Sequence, residues 1–149
     1  LTFTCAHSAY DTPLTLGGQS FKVEIANTPQ TLERGLMGVV DLQPNQGMLF
    51  LFGTKRPAIF WMKNTPSNLD LAYLDQDGRI LQIESLKAYS LRKVPSRMPV
   101  WAALEVPAGT FKRLQAHVGD KISCPALSSK TISNQPSQGD THERSKKTS

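Results

Sequence analysis

Histidine and cysteine are scarce in this 149-residue chain. His7, His117 and His142 lie far apart, and Cys5 and Cys124 each stand outside any C-x-x-C pair. No zinc or haem spacing is present, so no metal and no cofactor is implied. Also missing are the G-x-S-x-G elbow, the phosphate-binding P-loop and the G-x-G-x-x-G dinucleotide fingerprint. Long apolar runs are missing too. The longest, "GMLFLFG", has the length of a buried strand, far short of the roughly 20 residues of a membrane-spanning helix. Acidic residues are absent between Ser85 and Leu104, a stretch that holds Lys87, Arg92, Lys93 and Arg97. It reads as a solvated basic loop, with a patch for an anionic partner as the alternative. The net charge of +5 is too mild to argue for specific nucleic-acid binding.

What remains is the composition of one globular domain, 39% hydrophobic and 19% charged. A chain of this length buries a sizeable core, roughly two thirds of its unfolded surface. Residues 1–13 are expected to form an N-terminal extension and 14–124 a single globular domain. Residues 125–149, rich in Ser, Thr, Gln and Lys, bury too little to offset their ordering entropy and are expected to be a disordered tail. The chain starts at Leu1 without Met, which fits a removed signal peptide or a truncation. In an oxidising compartment Cys5 and Cys124 can pair; two free thiols are the alternative. A monomeric, periplasmic or otherwise extracytoplasmic protein is expected.

The hydrophobic periods give the elements. "LTLGGQSFKVEIA" predicts a hairpin turning at Gly17-Gly18, with Phe21, Val23 and Ile25 on one face. Thr28 is a helix cap followed by Pro29 at the first helical position. Leu32 and Leu36 share a face, Gly35 weakens the helix and Gly38 ends it. "GMLFLF", "PAIFWMK", "LDLAYLD", "RILQIESL" and "VWAALEVP" predict strands, the third and fourth joined by a turn at Asp75-Gln76-Asp77-Gly78. Residues 87–99 read as a loop. "AGTFKRLQAHVGD" gives a short helix with Phe111 and Leu114 inward and His117 at its end. "KISC" gives a last short strand. Together these predict an α+β, strand-rich single domain: an antiparallel curled sheet or partly closed barrel with two short helices.

Within "FWMKNTPSNLDLAYLD", Phe60 and Met62 alternate with Trp61 and Lys63, so one pair packs inward and the other faces a groove or solvent. Asn64 and Thr65 can brace the turn that follows by bonding nearby backbone groups. "TLERGLMG", "GMLFLF", "FWMKNT" with "LDLAYLD", "DGRILQI", and "ALEVPAG" with "GDKI" resemble, in this order, the bacterial and archaeal family called domain of unknown function 192. The resemblance runs from about Phe21 to Ile122. It implies one compact α+β domain, often behind a secretion signal, and no particular reaction. Val39 stands where that family often has a basic residue, and Asn68 where it often has proline.

The expected function is that of a binding module for a small polar molecule, a sugar among them, or for a protein partner. Glu33, Arg34, Trp61, Lys63, Asn64, Asp70 and Glu105 are the candidate site, a Trp face beside fixed polar groups. The alternative is a hydrolase using Asp70 and Glu105 as paired carboxylates.

Overall fold

The computed structural model describes residues 9–128. Cys5, and with it the expected disulfide, and the tail from residue 129 lie outside the described residues. Strand β1 (Thr12–Leu16) pairs antiparallel with β2 (Gln19–Ala26). The turn between them is the expected one: Gly17 and Gly18 have φ of 57° and 77°, which suits a tight hairpin. Helix α1 (Pro29–Arg34) follows. Thr28 Oγ1 accepts from Thr31 N at 3.1 Å and Thr31 Oγ1 accepts from Thr28 N at 3.0 Å, a reciprocal cap. The helix stops sooner than the apolar spacing suggests. Gly35 takes φ 51° and ψ −132°, a conformation open to little but glycine.

Strand β3 (Gln46–Arg56) then runs parallel to β2. The expectation of an antiparallel sheet is corrected here: the sheet is mixed. The connection through α1 carries the chain back to the starting end of β2, so β3 sets out in the same direction. Alternating apolar residues reveal a strand's faces but not its direction. The remaining strands are β4 (Ile59–Phe60), β5 (Leu69–Leu74), β6 (Ile80–Leu86), β7 (Val94–Pro95) and β8 (Val100–Pro107). The main sheet has the order β1-β2-β3-β8-β5-β6, and β4 and β7 form a separate two-stranded ribbon. β1 and β6 end that order and do not pair with each other, but the stretch 119–123 bonds to both, through the bridge Thr15↔Ser123 and through Ile80 N to the Asp120 carbonyl at 2.8 Å. The sheet is mixed and not closed, and the expected partly closed barrel is not shown. The strand-rich α+β class stands. Two more short helices, α2 (Thr110–Arg113) and α3 (Pro125–Ser128), complete the described chain.

Both faces of the sheet are covered. On one, Leu49, Ala72, Leu74, Leu104 and Val106 pack under Phe111, Ile122, Cys124 and Leu127. On the other, Met48, Phe50, Leu71, Tyr73 and Ala103 pack under Leu36, Ala58, Met62 and Val94. All six residues of β5 are therefore buried. β1 starts at Thr12 and the core reaches Leu127, so the packed unit extends slightly past both expected bounds, 14 and 124. Burial pushes the Cys124 thiol above its ordinary pKa, against two weaker backbone hydrogen bonds.

Candidate functional site

Strand alternation decides which polar residues meet. Leu71 and Glu105 are register partners on β5 and β8, and Met48 of β3 partners Glu105 on the other side. Glu105 thus projects from the middle of the sheet onto the face that α1 covers. Asp70, one residue from Leu71, points to the opposite face. There its Oδ2 accepts from Gly109 N at 3.0 Å and from Phe111 N at 3.2 Å, at the start of α2. Burial raises the Asp70 pKa, while the backbone donors at Phe111, Gly109 and Thr110 oppose the shift. Asp70 braces the start of α2, and the Asp70–Glu105 carboxylate pair of the hydrolase alternative is not formed, because the sheet lies between the two.

Glu105 is only 4% exposed. Among the described residues its carboxyl has no hydrogen-bond or ion-pair partner. Burial alone pushes its pKa up to about 8. It lies at the floor of a cavity of about 340 Å³ between α1, the end of β3 and β4. The apolar lining includes Leu36, Phe50, Phe52, Phe60 and Trp61. Phe50 and Phe60 meet edge to face at 4.8 Å, and Phe60 and Tyr73 at 5.7 Å. The Tyr73 hydroxyl donates to the Val94 carbonyl beneath this stack. Burial raises its pKa, with the Glu105 and Glu84 carboxylates adding to the shift.

Charges surround the mouth. Glu33 and Arg34 come from α1, and Arg56 from the end of β3. Arg34 Nη2 pairs with Glu24 Oε1 at 2.7 Å. Arg56 stacks over the Phe52 ring at 4.7 Å from its centroid. It is brought there by an irregularity in the β3–β8 pairing: from Leu51↔Ala102 to Arg56↔Val100, β3 advances five positions against two. Such bulges re-aim side chains and are frequent beside sites.

Trp61 is 41% exposed at the rim, with Lys63 Nζ 5.3 Å from its ring centroid. The expected alternation holds, since Met62 is buried while Trp61 and Lys63 face outward. Lys63 itself does not line the cavity. Asn64 has φ 55°, and its carbonyl accepts from Gly38 N at 2.9 Å, tying the corner to the segment after α1. Thr65 Oγ1 donates to Lys63 O at 3.0 Å, and Thr65 lines the cavity.

Of the seven expected site residues, Glu33, Arg34, Trp61 and Glu105 come together. Lys63 sits behind Trp61, Asn64 braces the corner, and Asp70 is on the other face. Phe50, Phe52 and Arg56 were not singled out from sequence. The alternation of Phe50 and Phe52 with Leu51 in "GMLFLF" was the available signal for two of them.

The model of the family called domain of unknown function 192, described as Uncharacterized ACR, matches residues 12–124. A crystal structure from Sinorhizobium meliloti 1021, provisionally named a transcription regulator, is 37% identical. That match covers 80% of this chain and 98% of that one, with a TM-score of 0.72. A protein of unknown function from Novosphingobium aromaticivorans DSM 12444 is 33% identical over 74% of this chain and 83% of that one, with a TM-score of 0.71. No curated protein matches.

Proposed function

The chain belongs to the Uncharacterized ACR family that residues 12–124 match, and on that premise we propose that it is a small-molecule-binding module. The site is the cavity above Glu105. One observation carries this reading. A carboxyl that is 4% exposed and without a partner among the described residues costs stability, yet it opens onto a space large enough for a ligand. A cavity of about 340 Å³ lies at the small end of the range for ligand pockets. Aromatic walls around a single deep polar group match the usual anatomy of such sites. An extracytoplasmic location remains part of the proposal. Fractionation of cells expressing the full-length gene product tests it, and protein confined to the cytoplasm would contradict it.

The binding test is a thermal-shift screen of sugars, amines, nucleotides and organic acids. A ligand at 100 times its Kd stabilises by about 2.7 kcal/mol. A hit should also shift the Trp61 indole and Met37 methyl NMR resonances, because both residues line the cavity. A screen without hits, or hits that leave those resonances unmoved, would contradict the reading.

A further inference from the structure

We infer that the cavity selects a small apolar amine, whose ammonium group pairs with Glu105 while its hydrocarbon or aryl body lies against Phe50, Phe52 and Phe60. This rests on the reading of the cavity as a small-molecule site and names its ligand class.

The charges around the cavity lead to it. Arg34 is neutralised by Glu24 at 2.7 Å, and Glu33 stands at the same mouth as Arg56. The exposed charges at the entrance therefore balance, and the uncompensated acidic group lies below them. Glu105 is flanked in the sheet by Met48 and Leu71, whose side chains have no hydrogen-bond donor. Tyr73, whose pKa the Glu105 carboxylate helps to raise, has committed its hydroxyl to the Val94 carbonyl. Nothing among the described residues supplies Glu105 with a cation, so a cation that ionises it has to come from a ligand.

The walls favour the same chemistry. Phe50, Phe52 and Phe60 line the space, and aromatic rings attract ammonium groups. An organic anion would meet the Glu105 carboxyl at the floor and be repelled once that group ionises. A sugar would leave most of its hydroxyls facing apolar rings, with one carboxyl to satisfy them. An amine with an apolar body satisfies both floor and walls.

Binding of an amine draws Glu105 into its ionised form. Below the carboxyl's own midpoint, apparent affinity should therefore rise with pH as the ionised fraction grows. The facing charged or titratable neighbours are Glu33, Arg34, Arg56 and Tyr73, and burial pushes the Tyr73 hydroxyl further above its ordinary pKa.

The experiment is isothermal titration of the full chain with benzylamine, hexylamine, benzyl alcohol, hexanol and benzoate. Wild type, Glu105→Gln and Lys112→Ala are compared. The expected result is that the amines bind at least tenfold more tightly than the matched alcohols and than benzoate. Their affinity should rise nearly tenfold from about pH 6 to about pH 7, while alcohol binding stays flat. Glu105→Gln should lose that preference and the pH dependence. Lys112→Ala, an exposed change on α2 at the opposite face of the sheet, should keep both. Alcohols or benzoate binding as well as the amines, with cavity resonances shifting, would overturn the ligand class and leave the cavity reading intact. Amines that bind equally to Glu105→Gln would also overturn it. If no probe binds and the wider screen shifts no cavity resonance, the cavity reading itself falls.

Discussion

At the scale of single residues, Glu105 and Asp70 show how one strand position separates two fates. Asp70 has backbone N–H partners at Gly109 and Phe111; Glu105 has none among the described residues. Asp70→Ala should therefore cost about 1–3 kcal/mol, because it leaves buried donors at the start of α2 unpaired. Chemical denaturation measures this, and ligand binding in the folded variant should be unchanged. For Glu105 the prediction runs the other way. Its folded pKa of about 8 lies above the ordinary value of 4.5. Between those values the folded protein holds a proton that the unfolded chain has released. The stability this contributes is complete below about pH 4.5 and falls by about 1.4 kcal/mol per pH unit up to about pH 8. Glu105→Gln, neutral at every pH, should lack that slope and be the more stable protein at pH 8. Asp70 is also raised and keeps its share of the slope in both proteins, so the difference curve isolates Glu105. Urea unfolding of the two proteins from about pH 5 to about pH 9 provides it. Parallel curves would mean that Glu105 is solvated or paired.

At the scale of elements, the cavity depends on where α1 stops and how the corner after β4 is held. Gly35 ends the helix at φ 51° and lets the chain turn so that Leu36 joins the buried cluster that holds Phe50. Gly35→Ala forces a side chain into that conformation and should cost about 1–3 kcal/mol. Its thermal midpoint should fall, and cavity resonances should move. The corner divides core from rim. Met62, 1% exposed, should cost about 2–5 kcal/mol when truncated to alanine. Trp61→Ala should cost much less stability and instead weaken ligand binding, since much of its ring already faces water. Denaturation and titration of both variants separate the two roles. These elements were legible because their signals are local. Thr28-Pro29, Gly17-Gly18, the turn before Gly78 and the alternation through Phe60–Lys63 each depend on neighbouring residues alone. The early helix stop was missed because the Leu32/Leu36 spacing continues past Gly35, where the backbone does not.

At the scale of the whole molecule, what the sequence left open was non-local. The alternation in "LDLAYLD" and "VWAALEVP" assigns faces within each strand. It cannot say that Leu71, rather than Asp70, stands on the same side as Glu105, because that needs the register between strands. The parallel step from β2 to β3 is equally silent in the residue pattern. It places α1 over the sheet and so roofs the cavity, turning Glu105 from a surface-like acid into a buried one. Arg56 reaches the mouth through a pairing irregularity that no short motif announces. The family resemblance was readable because its blocks keep their order along the chain, but it carried no reaction with it.

The most direct test is the titration of the Glu105 carboxyl in the ligand-free protein, followed by carbon-detected NMR and assigned with Glu105→Gln. A buried, unpartnered acid at the floor of an empty site should titrate with a midpoint near 8. A midpoint in the ordinary carboxylate range, near about 4.3, would mean that water or a protein group already serves it and would contradict the account.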